Sequence, residues 1–210
     1  MSPPRERRSR SRSTAKSDCR VAAHRLAATG PRPTCQRATL DDMGVLDGEA
    51  DRLEAAAAAM VALRPRVEGG AEWPLAAFYG TEPEASWGPR EVLAHVEEYL
   101  PFWLAEIERV LAGDPSAPVP FGRIADDPVR IGVIGRDRTV PFRELFARVE
   151  SDAPRVASRL RQLSAAEVER VGLHPRRGEM TVRDMLDPFL VGHTEGHVTQ
   201  LREILESAGR

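Results

Sequence analysis

The sequence predicts an all-α protein, organised as a four-helix bundle with one long crossover connection. From Met43 onward, apolar residues recur at helical spacing, and no alternating apolar and polar run of convincing strand length interrupts them. Glycines and prolines divide this region into four long helical segments and one extended connection. Four long helices with a single long connection are the arrangement of a four-helix bundle.

The first two helices are recognisable from their ends. Asp47–Arg64 begins with acidic residues in the first turn, continues through strong helix formers, and is followed by Pro65 and two glycines. The second helix is predicted over Gly88–Gly113, because Gly88 can act as the N-cap and Pro89 suits the first helical position.

The second half of the chain supplies the connection and two more helices. Residues 114–140 are rich in proline and glycine, and a connection of this length in a bundle is a candidate lid over a site. A third helix is predicted over Pro141–Leu163, with a kink at Pro154. Thr181 is the predicted N-cap of a long fourth helix, which should be kinked or loosened around Pro188.

Residues 1–42 differ in composition from residues 43–210. They are rich in Arg, Ser and Pro, they lack apolar periodicity, and they carry a net charge of +6, which leaves −8 on the rest of the chain. We expect this basic segment to be disordered, since it offers too little apolar surface to offset the entropy of ordering. One interpretation is that it is a non-native upstream extension and that Met43 is the functional start. The negative charge of residues 43–210 argues against nucleic acid as their partner.

The reactive side chains of several enzyme classes are missing from residues 43–210. Cys19, Cys35 and Lys16 all lie in the basic segment, so the bundle has no thiol, no disulfide and no Schiff-base lysine. The cytoplasm is the expected location. No apolar run approaches the roughly 20 residues of a membrane span, so no membrane association is expected.

Two histidines stand four positions apart in the last predicted helix, in the stretch GHTEGHVTQL. On a helix, His193 and His197 fall in one stripe with core leucines, while Glu195 points the other way. Such a pair can bind one divalent ion through both imidazoles, although two buried histidines can equally be satisfied by ordinary hydrogen bonds. The stretch is not the HExxH motif of zinc proteases, because Thr194 occupies the position of the catalytic glutamate.

A third metal ligand would have to come from another helix. His95 is the best candidate, although it lies at the edge of the apolar stripe of the second helix. His24 falls in the basic segment, and His174 falls in the turn-like sequence HPRRG, so neither is assigned a ligand role.

Three fragments resemble the DinB-like superfamily, which includes mycothiol-dependent maleylpyruvate isomerases and bacillithiol-type transferases. They are WGPREVLAHV, HPRRGEMTVRDML and HTEGHVTQL, which occur in the family's order and at compatible spacing between Leu46 and Ser207. The resemblance implies a four-helix bundle, often a homodimer, with a metal site formed by His95, His193 and His197. A site with three protein ligands leaves a position open, as catalytic metal sites do.

The resemblance leaves three functions to be distinguished. In the first, a divalent metal such as zinc, nickel or iron activates a low-molecular-weight thiol for S-transfer to, or isomerisation of, a small electrophilic substrate. In the second, the metal lowers the pKa of its bound water for hydrolysis. In the third, the protein is a non-catalytic, stress-associated binding module.

Other residues have less specific interpretations. Arg123 and Arg130 in the long connection are candidates for binding carboxylates of a cofactor or substrate, although arginines in loops are more often simply solvated. Glu98 is expected to face solvent, so no general base is identified, and the catalytic residues stay unknown. Trp103 and Phe189 are expected to be core residues.

Overall fold

The computed structural model describes residues 44–70, 73 and 87–208. The predictions of disorder for residues 1–42 and of a functional start at Met43 lie outside the described residues. In chain order, the elements are α1 (Asp47–Val61), α2 (Arg64–Glu68), α3 (Pro89–Ala112), β1 (Val119–Pro120), α4 (Pro128–Asp137), α5 (Phe142–Arg161), α6 (Ala165–Val168), β2 (Val171–His174), β3 (Gly178–Thr181), α7 (Val182–Phe189) and α8 (Val191–Ala208).

The four-helix bundle predicted from the sequence is confirmed. Its frame consists of α1, α3, α5 and α8, with α1 packed against α5 and α8, and α3 packed against α5. Large apolar side chains that are fully buried fill the space between the helices, among them Leu53, Tyr99, Leu100, Phe146 and Leu160. Removing this much apolar surface from water is what holds the helices together.

The predicted long connection contains a helix that the sequence analysis missed. α4 begins after Asp127, whose carboxylate accepts hydrogen bonds from the backbone N–H groups of Val129 and Arg130 at 3.0 Å each. Pro128 occupies the first turn, where its missing N–H costs nothing. Two glycines within the helix and its modest apolar content explain why residues 114–140 were interpreted as a loop.

A small three-stranded sheet is a second feature that the sequence analysis did not predict. β1 pairs with β2 in parallel, and β2 pairs with β3 as an antiparallel hairpin that begins at His174 and returns at Gly178. Gly178 has a φ of +76°, a conformation that glycine adopts without strain. The strands are only two to four residues long, which is too short for an alternating pattern to be visible in the sequence.

The predicted fourth helix is divided into two. Thr181 caps α7 as expected, since its hydroxyl accepts from the backbone N–H of Asp184 at 3.1 Å and the Asp184 carboxylate accepts from the Thr181 N–H at 3.0 Å. α7 and α8 are separated at Leu190, whose φ of −126° and ψ of −75° leave the helical region. The break therefore falls two positions after Pro188, close to the loosening that this proline predicted.

Within the described residues, no helix is both long enough and apolar enough to cross a membrane.

A buried pair of carboxyl groups, Glu97 and Asp137, joins α3 to α4. Burial, followed by the hydrogen bond to Asp137, raises the pKa of Glu97 above its ordinary value of 4.5. The guanidinium of Arg136, 2.5 Å from the Asp137 carboxylate, is the main reason that the pKa of Asp137 is lowered. The pair therefore holds one proton, on Glu97, with Asp137 ionised.

Replacing Glu97 with glutamine is expected to stabilise the protein relative to wild type, and to do so more at pH 8 than at pH 5. In wild type, the unfolded state releases the Glu97 proton above about pH 4.5 while the folded state retains it, so stability falls as the pH rises. Between pH 5 and pH 8, the stability advantage of the variant over wild type should grow by on the order of 1–3 kcal/mol. Urea unfolding at both pH values measures it. A gain that is equal at the two pH values would show that Glu97 is not protonated in the folded protein.

Candidate metal centre

Three histidine side chains from two helices converge at the centre of the bundle. His95 comes from α3, and His193 and His197 come from consecutive turns of α8. The His193 Nε2 atom lies 3.1 Å from His95 Nε2 and 3.2 Å from His197 Nε2. His95 and His197 are each only 4% exposed. The structure therefore brings together the three histidines that the sequence analysis singled out.

The orientation of α8 is fixed on both of its sides. On the outer side, Glu195 accepts two hydrogen bonds from the Arg52 guanidinium of α1, at 2.9 and 2.7 Å. On the inner side, the Thr194 hydroxyl donates to the Leu190 carbonyl at 2.6 Å, so the Tyr99 hydroxyl, 2.7 Å away, must donate to Thr194. These contacts tie α8 to α1 and α3 beside the histidines and hold the imidazoles toward each other.

The surroundings of His95 and His193 favour the neutral form of these two imidazoles. Burial, followed by the repulsion of His197 and then of the Arg130 guanidinium, lowers the pKa of His95 well below its ordinary value. Burial, with the same two neighbours next in importance, lowers the pKa of His193 to about 3. Neutral imidazole is the form that binds metals, so protons compete poorly for these nitrogens near neutral pH.

The three imidazoles fit a single divalent ion. Two nitrogens bound to a tetrahedral zinc at about 2.0–2.1 Å are separated by about 3.3 Å, close to the two separations at His193. The nitrogens of the whole trio lie within 4.8 Å of one another. His197 Nδ1 lies 2.9 Å from Gln200 Oε1, and an amide oxygen there accepts the Nδ1 proton, so Nε2 is the nitrogen whose lone pair would bind an ion.

A cavity of about 310 Å³ opens beside two of these histidines. It is lined by basic, aromatic and aliphatic side chains: His95, Trp103, Arg123, Ile124, Ala125, Arg130, His174, Arg176, Arg177, Pro188, Phe189 and His193. No carboxylate is found among these lining residues. A ligand in this cavity would meet both imidazoles and guanidinium groups.

Arg123 and Arg130 both line this cavity, as their proposed role requires, and both are largely covered rather than solvated. The guanidinium of Arg123 lies 2.5 Å from the Glu98 carboxylate and 3.7 Å from the centre of the Phe102 ring. Arg130 is 5% exposed and donates to the Ala125 carbonyl at 2.8 Å. The expectation that Glu98 faces solvent is wrong, because only 7% of its side chain is exposed and it pairs with Arg123.

His174 is not part of the histidine cluster, in agreement with the sequence analysis, but it contributes a wall of the cavity. Its Nδ1 accepts from the backbone N–H groups of Arg176 and Arg177 at 3.2 Å each, so its Nε2 carries the proton. That proton is donated to the Arg123 carbonyl at 3.2 Å. His174 thereby fixes the β2–β3 turn to the segment that carries Arg123.

The sequence analysis missed the aromatic wall of the cavity. Trp103 and Phe189 do pack in the core as expected, with stacked rings whose centres are 4.1 Å apart. Both rings also line the cavity. Helical spacing predicts which residues are buried, but it does not distinguish a core position from the wall of a cavity.

A second cavity, of about 590 Å³, follows α8. His193 and His197 line it together with Gly192, Gly196 and Gln200, among others. His193 contributes to both cavities, so the histidine cluster is bordered by space on two sides.

Comparison with known proteins agrees with the observed fold. Residues 19–201 match the model of the DinB superfamily, so the match begins earlier than the Leu46 that the motifs indicated. YfiT from Bacillus subtilis, described as a probable metal-dependent hydrolase with an unusual four-helix bundle topology, is a structural relative with a TM-score of 0.62. The two chains are 18% identical, over 86% of this chain and 93% of YfiT, a level at which the likeness shows the fold alone. No curated protein matches this chain.

Proposed function

The chain belongs to the DinB superfamily, and we propose that it is a metal-dependent enzyme that transfers a small thiol to an electrophilic molecule or uses the thiol to isomerise it. The observation that carries this proposal is the convergence of three imidazoles, two of which line a ligand-sized cavity. The ligands would be His95, His193 and His197, for zinc, nickel or iron. Cavities of about 300 Å³ and above are typical of sites for small molecules.

The bound ion would supply Lewis acidity, which favours the ionised form of a thiol over the neutral one. A thiol nucleophile would have to come from a second molecule, because residues 43–210 contain no cysteine. In S-transfer, the thiol sulfur forms a bond to the electrophilic carbon as the leaving group departs with its electron pair, and the thiol proton is released to solvent. In isomerisation, the same sulfur adds to the substrate and is expelled unchanged.

The side chains around the histidines would bind and orient the two reactants. Arg130 and Arg123 would hold carboxylate groups of the thiol or substrate, as the sequence analysis proposed. Gln200 would hold His197 in the tautomer that presents Nε2. Trp103 and Phe189 would exclude water from one side of the reacting groups.

Hydrolysis is the second candidate function. It is favoured by the description of the structural relative YfiT as a probable metal-dependent hydrolase. A hydrolase would use the same three histidines and would require no thiol.

An activity assay on the full chain separates the alternatives. We expect the zinc-loaded protein to accelerate the conjugation of mycothiol or bacillithiol with 1-chloro-2,4-dinitrobenzene, and His193→Ala to lose that acceleration. Thiol-independent hydrolysis of 4-nitrophenyl acetate, lost in the same variant, would replace the transferase proposal by the hydrolase. If zinc binds but neither reaction is accelerated with any thiol and electrophile in a broad panel, the protein is a non-catalytic binding module.

The assembly and location stay predictions. We expect a homodimer in the cytoplasm, with no nucleic-acid or membrane partner for residues 43–210. Sedimentation equilibrium of the full chain tests whether it is a dimer.

A further inference from the structure

We propose that Arg176 and Arg177, on the turn between β2 and β3, form with the buried Arg130 a subsite for the anionic group of a small organic ligand whose apolar body packs on Trp103 and Phe189. The inference deepens the proposed function and rests on it, because this ligand would be the substrate or thiol that reacts at the histidines. It also makes a claim about binding that can be tested without a metal.

The guanidinium groups of Arg176 and Arg177 form no ion pair with a carboxylate of the described residues. Most arginines of the described bundle pair with a carboxylate, as Arg123 does with Glu98 and as Arg161 does with Glu54. Among the described residues, neither Arg176 nor Arg177 forms such a pair, although both side chains line the cavity. Arg123 shares its charge with Glu98, whereas no carboxylate of the described residues neutralises the turn arginines, so these offer more charge to an anion from solution.

The turn between β2 and β3 that carries these arginines is held in a fixed shape. Its backbone N–H groups at Arg176 and Arg177 are occupied by His174 Nδ1, and His174 is in turn bound to the Arg123 carbonyl. Gly178 closes the turn with its positive φ. A ligand would therefore lose less binding energy in ordering this loop than it would on a flexible one.

Positive charge and apolar surface lie side by side in the cavity. The Arg177 guanidinium carbon lies 5.3 Å from the centre of the Phe189 ring, so a cation stands directly beside the apolar wall. Phe189 is stacked on Trp103, and both rings face the cavity. Because no carboxylate is among the described residues that line the cavity, an anion entering it meets no like charge from them. The wall and the cations together select an anion with an apolar body.

The test is a fluorescence titration of the zinc-free full chain with 4-nitrobenzoate and with its neutral counterpart 4-nitrobenzamide. Nitroaromatic rings quench indole emission, and Trp103 lies in the wall of the cavity. We expect the benzoate to bind more tightly than the amide, and the R176A/R177A variant to lose about 10-fold or more in benzoate affinity. The amide affinity should not change. A parallel titration with 4-nitrophenyl phosphate shows whether a carboxylate or a phosphate is preferred.

The matched control is R143A/R202A, which removes two exposed arginines that line none of the described cavities. This control should bind 4-nitrobenzoate as wild type does. Equal affinity for the benzoate and the amide, or an equal loss in both double variants, would overturn the subsite. Because the titration contains no zinc, its failure would leave the metal-dependent function standing, and failure of zinc binding would leave the subsite standing.

Discussion

Replacing His193 with alanine is expected to weaken zinc binding by at least about 100-fold. His193 Nε2 is the central atom of the cluster, 3.1 and 3.2 Å from the other two Nε2 atoms. Without it, only two protein ligands remain for the ion. Loss of a group that only orients a ligand typically costs 10–100-fold, and loss of the ligand itself should exceed this. Competition with a chromophoric chelator measures the affinity.

Two companion variants identify the cause of the loss. Gln200→Ala should weaken zinc binding by roughly 10–100-fold, because the partner of His197 Nδ1 is removed while all three imidazoles remain. Arg202→Ala, an exposed change on the same helix, should have no effect. Zinc binding by His193→Ala at wild-type affinity, with an unchanged circular dichroism spectrum, would show that His193 is not a ligand.

The metal-free protein is expected to lose stability through His193 as the pH falls from 7 to 5, by roughly 2 kcal/mol. Burial above all lowers the pKa of His193 in the folded protein to about 3, from an ordinary value of 6.5. Between pH 7 and pH 5 the unfolded chain therefore takes up a proton at His193 that the folded protein does not. Since the unfolded state binds more protons, the free energy of unfolding falls as the pH is lowered.

The measurement is urea unfolding of chelator-treated wild type and His193→Gln at pH 5, 6 and 7. The stability difference between the two proteins should shift in favour of the variant as the pH falls, because glutamine does not titrate. Glu97 acts in the opposite sense over this range, but both proteins contain it, so its contribution cancels in the stability difference between them. A stability difference that stays constant from pH 7 to pH 5 would contradict the lowered pKa of His193.

The frame of the fold and the pair His193 and His197 could be predicted from the sequence, because both depend on local periodicity. Spacing of four residues places His193 and His197 on one face of any helix, and the surrounding leucines identify that face as buried. The position of His95 rested on the family motif, since its helical phase alone placed it at the edge of a stripe. In the structure it is nearly fully buried against both partners.

The cavity wall could not be predicted from the sequence, because it is assembled from segments far apart in the chain. Arg123 and the turn arginines face the same space only because β1 pairs with β2, and these strands are too short to be recognised from the sequence. Glu98 was misplaced for the same reason, since its partner Arg123 comes from the connection. Sequence periodicity assigned Glu98 to an outer face without knowing that the connection covers it.

The central claim is that His95, His193 and His197 bind one divalent ion. The most direct test is a crystal structure of the zinc-loaded full chain with diffraction data collected on both sides of the zinc absorption edge. The account predicts a single anomalous peak about 2.0–2.1 Å from the three Nε2 atoms, with at least one further coordination position directed at a cavity. An empty histidine cluster, with zinc bound elsewhere or not at all, would contradict it.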